Sequence, residues 1–439
     1  MNVVLEMMDF TPKMMNFTKV GTRITCSFDD MKLVWDDALE TYADRGIRTV
    51  NVPPGAPPRS DALTMAKVWP SVVEKLEQEL GYSALTQMRV VSYDWRMGAR
   101  HFAQPGGAFD KTKKVFEESR AVHGRASLVI SFSMGSPFFH SFLQQQTQLW
   151  KDEHVAGWTT LAGPFAGSMQ LFMTMVGGGQ SIIGDDFVPN HFPGVDAYKI
   201  RDTMASWGVG AFMSPRPTTN LADNAITMAL VEDHAYTFEA GNVREILALA
   251  AAVQPRGPAA GDSDADSDSA QRTLEVHDYE YAYSDTTAPP GVAVWCLYSL
   301  GSPTVSSFSY DTPDMSGEPT PSNSEGDSTV HRQSLEVCTT WADPDHDTTV
   351  HRLADGVIHG DTAKSDEALA LLVTIASSFA QSEGSKYGVD CLGSSESKQL
   401  SGSVCVCLDS PFCFIVFLCR SGDGAGQCRM PRDHRGEPR

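Results

Sequence analysis

Three short segments carry residue types that together perform nucleophilic catalysis. A serine stands in Val129-Ile130-Ser131-Phe132-Ser133-Met134-Gly135, an aspartate in Gly326-Asp327-Ser328-Thr329-Val330, and a histidine in Gly356-Val357-Ile358-His359-Gly360. A serine hydroxyl is a weak nucleophile until a base takes its proton, and the base needs an acid to fix its tautomer. The chemistry would be attack of Ser133 on an ester carbonyl, with His359 as base and Asp327 as its orienting acid. The segment around Ser133 is close to G-x-S-x-G, in which the serine sits on a strained strand-to-helix turn. Strand and helix approach closely there, so the residues two before and two after must be small. Gly135 fills the second position and Ser131 the first. A buried S-x-S-x-G turn without chemistry fits the same letters equally well. The histidine has rivals too: the chain holds 12, and His331, His346 and His351 lie close to His359 in sequence.

These residues need elements to position them. Apolar runs at 88–92, 128–131 and 155–161 predict strands, as does 47–52 before Pro53-Pro54-Gly55. Helical periodicity predicts helices over 71–80, 111–123 and 135–146, with Gly124 placed to stop the second. This alternation predicts an α/β fold with a mostly parallel sheet and helices on both faces. The rhythm breaks after Phe165, where a Met-, Gly- and Pro-rich stretch reads as an inserted cap; within it, 169–175 suits either an acyl-chain groove or plain core. The run 261–269 has four aspartates and no base, and reads as a disordered loop rather than a calcium site. Strands return at 292–298 and 348–353, and a last helix at 366–379. Asp327 and His359 then fall on loops after late strands, in the chain order Ser, Asp, His. The expected divisions are an N-terminal segment 1–25, a first core part 26–164, and a cap 165–285 with an acidic loop 253–272. A second core part 286–380 and an irregular Cys/Ser/Gly-rich tail 381–439 complete them, the tail having one apolar patch at 412–418.

Composition narrows the partners. The chain has 439 residues, 41% of them hydrophobic, enough for a sizeable core. Its net charge of −21 opposes contact with phosphate backbones, so no nucleic-acid partner is expected. Anionic membranes would repel it as well, and any lipid contact must come from apolar side chains. No apolar run reaches the ~18 residues of a spanning helix. Residues 1–20 lack the basic–apolar–small order of a signal peptide. Six of the nine cysteines lie in the tail, and none has a second pair or histidine at zinc spacing. No metal or organic cofactor is expected.

Several motifs in order resemble the lecithin:cholesterol acyltransferase family, which includes lysosomal phospholipase A2 and phospholipid:diacylglycerol acyltransferase. Tyr93-Asp94-Trp95-Arg96 matches its Y-D-W-R. Ser131 to Gly135 matches its elbow x-H-S-M-G, with Phe132 in place of His. Trp150-Lys151-Asp152 and Ala162-Gly163-Pro164-Phe165-Ala166-Gly167 resemble W-K-D and G-A-P-W-G-G. Cys296-Leu297-Tyr298 and Gly301-Ser302-Pro303-Thr304 resemble C-L-Y-G-T-G-V-P-T, and Asp327 and His359 fall on its acid loop and late G-x-x-H. The resemblance implies an α/β-hydrolase fold with an inserted cap. It implies a phospholipid acyl donor, and an alcohol acceptor (sterol, diacylglycerol or similar) or water, met peripherally at a membrane or lipid-particle surface. The Met134 backbone amide would hold the oxyanion, and Cys296 would pair with Cys338 in a disulfide. Such a bond and the family together imply a lysosome-like, endomembrane or secreted location. The family also has a first strand, a P-G-x-G loop supplying a second oxyanion donor, and a lid, none recognisable in 1–25. The competing readings are therefore a catalytically impaired lipid-binding remnant and a soluble-ester hydrolase. Tyr93 to Arg96 reads as structural, with Trp95 packing and Asp94 paired to Arg96 or to backbone amides, against the alternative of direct lipid contact.

Overall fold

The structure, a computed structural model, describes residues 32–36, 41–44, 69–177, 201, 203–218, 227–238, 240–252, 274–315, 319–386, 403–406 and 414–418. Segment 1–25, Cys26, the expected strand at 47–52 and the acidic loop 253–272 lie outside these residues.

Strands β1 (Leu33–Asp36) and β2 (Thr41–Asp44) form a small antiparallel pair. Helix α1 (Trp69–Leu80) follows. Trp69, Val72, Val73, Leu76 and Leu80 share its buried stripe, the 3.6-residue period read from the sequence. Strand β3 (Met88–Ser92) leads to helix α2 (Ala108–His123), which ends on Gly124 at φ 69°, a left-handed cap. Strand β4 (Ser127–Phe132) is buried at every residue, as a central strand of a parallel sheet must be. Helix α3 (Gly135–Gln144) and helix α4 (Gln148–His154) come next, and the Thr147 hydroxyl caps α4 by accepting from the Trp150 amide at 3.2 Å. Strand β5 (Val155–Leu161) follows directly.

Helix α5 (Met169–Gly177) opens the cap region. Met169, Met173 and Met175 are buried, and Phe172 packs on Phe308. Strands β6 (Thr227–Val231) and β7 (His234–Thr237) and helix α6 (Ala240–Ala252) lie in it too, beside a short helix at Gly208–Phe212 and a helical turn at Tyr281–Tyr283. Strand β8 (Val294–Tyr298) re-enters the main sheet. The next two strands, β9 (Ser302–Tyr310) and β10 (Thr320–Gly326), join β6 and β7 in a second sheet of order β10-β9-β6-β7. That sheet thus unites the cap with residues downstream of it. Sequence periodicity did not expose β10, because an edge strand of composition Thr-Pro-Ser-Asn-Ser-Glu-Gly is solvated along most of its length. Strand β11 (Thr348–Arg352) and helix α7 (Asp366–Lys386) end the core.

The main sheet runs β11-β8-β5-β4 with every pair parallel. Strands β3 and β4 are separated by tail segments read as irregular from sequence: β12 (Ser403–Val406), parallel to both, and β13 (Phe414–Leu418), antiparallel to both. The apolar patch at 412–418 supplies β13. Its Phe-Ile-Val-Phe-Leu is β-branched and aromatic, the composition a pleated surface accepts.

Polar contacts pin the cap to the core at Glu280 and brace the cap internally at Arg216. The Glu280 carboxylate accepts from the backbone amides of Arg100 and His101, at 2.8 and 3.3 Å. Arg216 stacks on Tyr281 and donates to the carbonyls of Tyr281, Ser284 and Phe212. Asp94 pairs with Arg96 at 2.7 Å, and Trp95 meets Trp207 edge-on, the contacts expected of a structural segment.

Candidate active site

Strand β4 ends in Phe132, and the chain turns into α3 at Ser133. Ser133 has φ 50°, a left-handed conformation that strains a residue bearing a Cβ. The Ser133 amide donates to the Leu161 carbonyl at 2.9 Å, holding the turn against the end of β5. Beneath it lies a closed hydroxyl network. The Trp158 indole donates to Ser131 Oγ at 2.7 Å, Ser131 and Ser136 share a hydrogen bond of 2.9 Å, and Thr160 donates to Ser136 Oγ at 2.7 Å. All four residues are fully buried. The small residue required two before the nucleophile is thus a serine whose hydroxyl is satisfied, which its bare smallness did not reveal.

The acid loop hangs from β10. A Cβ on Gly326 would run into the Val330 carbonyl and the Thr304 side chain, so glycine is the residue that fits before Asp327. The Asp327 carboxylate is fully buried. Its Oδ1 accepts from the amides of Thr329 and Val330 at 3.1 and 2.7 Å, and its Oδ2 faces His359 Nδ1 at 2.7 Å. The His359 amide also donates to the Asp327 carbonyl at 2.7 Å, coupling the two loops through the backbone. His359 Nε2 lies 2.8 Å from Ser133 Oγ. The three side chains picked from sequence therefore form one hydrogen-bonded line, and Nδ1–H donating to Asp327 leaves Nε2 to accept from the serine. Met134, which follows the serine, stands at the N-terminal cap position of α3 with its backbone in the helical region.

The rival histidines stand elsewhere. His331 is fully buried, stacks on Phe238, and has no hydrogen-bond partner on either ring nitrogen among the described residues. Burial pushes its imidazole down to about 4, so it is neutral at pH 7 although Asp327 lies near. His346 pairs with Asp343, and His351 lies on edge strand β11.

Two further links brace the site. Ser334 accepts from the Ala166 amide and donates to the Gly167 carbonyl, at 2.9 and 2.6 Å, tying the loop after β5 to the helix after the acid loop. Cys296 and Cys338 form a disulfide with Cα atoms 6.4 Å apart, closing the segment that holds Asp327. The Ser334 link was invisible in the sequence, because neither residue type nor spacing marks it. Among the described residues no group of His, Cys, Asp and Glu is arranged to hold a metal ion.

A parallel sheet with helices and a serine on the turn after a buried central strand defines the class: an α/β-hydrolase fold. The sequence model of the lecithin:cholesterol acyltransferase family matches residues 14–184 and 238–374, more than half of the chain, and the chain belongs to that family. It is 25% identical to a phosphatidylcholine-sterol acyltransferase of Gallus gallus, over 60% of this chain and 55% of that one. It is 25% identical to a lysosomal phospholipase A and acyltransferase of Bos taurus, over 72% of this chain and 71% of that one. The lysosomal phospholipase A and acyltransferase of Homo sapiens is 26% identical over 60% of this chain and 55% of its own length. Against two of these three relatives the match spans just over half their length. A chain of the solved structure titled "The crystal structure of Tle4-Tli4 complex" aligns with a TM-score of 0.39 at 12% identity, over 65% of this chain and 67% of that one.

Proposed function

We propose that this chain is a serine-dependent lipid O-acyltransferase and phospholipase that passes an acyl group from a glycerophospholipid to an alcohol or to water. The observation that carries the reading is the line Asp327 Oδ2, His359, Ser133 Oγ, with both contacts below 3 Å. Ser133 Oγ attacks the ester carbonyl carbon as its proton moves to His359 Nε2. The Met134 backbone N–H donates to the oxyanion. The bond from carbonyl carbon to glycerol oxygen then breaks, and the imidazolium returns its proton to that leaving oxygen. An alcohol or water next gives its proton to Nε2 and attacks the acyl carbon; the acyl carbon–Oγ bond breaks, and Nε2–H returns the proton to Ser133 Oγ. Asp327 stays ionised and holds the tautomer. The names of the relatives point to a phospholipid donor and a sterol acceptor, and the reading extends the acceptor to diacylglycerol or a similar alcohol. The substrate is met at a lipid surface, peripherally, and the acidic chain engages it through apolar side chains. The Cys296–Cys338 disulfide braces the segment that holds Asp327, and such a bond suits a lysosome-like or secreted setting.

The test is a matched assay of phospholipid vesicles, with and without a long-chain alcohol, against a soluble short-chain ester. The proposal expects acyl ester of the alcohol to form at the expense of free fatty acid. Hydrolysis of the soluble ester alone would show a plain esterase instead.

A further inference from the structure

An imidazole ring has two nitrogens and two faces. In His359 both nitrogens are occupied, Nδ1 by Asp327 and Nε2 by Ser133. One face lies against Phe132, with ring centroids 5.1 Å apart and planes 29° from parallel. Phe132 is fully buried, is the last residue of β4, and immediately precedes Ser133. The same backbone therefore places the nucleophile and a wall for its base. The related elbow motif has a histidine at this position, and this chain has a phenylalanine.

We propose that Phe132 is a positioning residue for the base, whose ring face holds the imidazolium that His359 becomes during acyl transfer. The proposal rests on the reading of Ser133, His359 and Asp327 given above. A neutral imidazole merely packs on a phenyl ring. A cation within about 6 Å of the ring centroid is attracted to its negative face. The charge exists only after Ser133 has given up its proton, so the contact strengthens toward the transition state and acts on kcat rather than on substrate affinity. Among the described residues, several charged or titratable groups lie around the imidazole. Asp327 carries the charge on the acid loop, His331 beyond it is neutral and buried, and Ser133 is uncharged. On the turn of His359 itself, Lys364 and Asp361 pair with each other at 2.6 Å.

The test compares the full-length chain with F132L, F132Y and a pentafluorophenylalanine at 132. Two readouts are needed: kcat and KM on a soluble ester, and the NMR titration midpoint of the His359 ring, assigned by its loss in H359Q. F132L removes the ring face, so kcat is expected to fall about 5- to 30-fold with KM within about twofold. Losing a contact that favours the charged form lowers the midpoint, by about one pH unit. F132Y keeps the face and is expected to stay within about threefold of the parent. The pentafluoro ring keeps the shape, reverses the charge distribution, and should lower the midpoint at least as far as F132L. A midpoint unmoved in F132L and in the pentafluoro protein overturns the proposal, whatever kcat does, since packing alone would then explain any loss. Absence of turnover in the parent chain would count against the proposed function instead, and the midpoint would still decide the ring-face contact.

Discussion

Replacing Asp327 by asparagine changes one atom, and the structure dictates which way the new amide must point. Oδ1 accepts two backbone N–H bonds, a part-buried one from Thr329 and a buried one from Val330. Turning the amide NH2 toward them would set donor against donor, leaving the buried Val330 amide unpaired at about 1–3 kcal/mol and costing the part-buried Thr329 amide its partner as well. The carbonyl oxygen therefore stays on Thr329 and Val330, and the NH2 group faces His359 Nδ1. A donor at that position forces Nδ1 to accept and moves the ring proton to Nε2. Nε2–H then points at Ser133 Oγ and has no lone pair with which to take its proton. The expected loss is about 10⁴ in kcat, or roughly 5 kcal/mol of transition-state stabilisation. The fold should hardly notice, because the side chain keeps its shape and its backbone bonds. The assay is steady-state turnover of a soluble ester, paired with a melting curve. A D327N protein that melts within a few degrees of the parent but loses less than tenfold in kcat would refute the tautomer argument.

Other outcomes follow from the same geometry. The C296A/C338A double variant, or reduction, releases a loop with a sequence separation of 42, and should cost about 4 kcal/mol, read as a lower denaturant midpoint. W158F leaves the buried Ser131 hydroxyl without its indole donor and should cost about 1–3 kcal/mol in chemical denaturation. Burial pushes the Glu280 carboxyl up to about 8, so its stabilising contribution is complete below its ordinary range near 4.5 and is lost as pH rises toward 8. The parent should therefore drop further in Tm between pH 5 and pH 8 than E280Q does. His331 works in the opposite sense: with its pKa depressed to about 4, its contribution is complete above the ordinary 6.5 and is lost as pH falls toward 4. H331L should accordingly lose less Tm than the parent between pH 7 and pH 4.5.

The parallel core was legible because its strands are short, apolar and separated by amphipathic helices. Strands 88–92 and 155–161 sit where the alternation puts them, and α2 and α3 end within a few residues of their expected limits. The second sheet was not legible. Its pairing of β6 with β9 joins residues about 80 positions apart, and β10 is too polar to announce itself. Ser133, Asp327 and His359 stood out by chain order and by the glycines that shape their turns. What surrounds them did not. A serine two before the nucleophile reads only as small, yet its hydroxyl anchors Trp158. Phe132 reads only as apolar, yet its face meets the base. Such roles depend on which face of which ring is turned inward, and residue spacing carries no record of that.

The central claim is that an acyl group passes through Ser133. Its most direct test is rapid acid quenching of the full-length chain mixed with phosphatidylcholine vesicles, then mass measurement of the peptide that carries Ser133. The account predicts that peptide with the mass of one fatty acyl chain added, present in the parent and in H359Q at a much slower rate, and absent in S133A. A parent protein that is folded, releases fatty acid from the vesicles, and never carries acyl on Ser133 would contradict it.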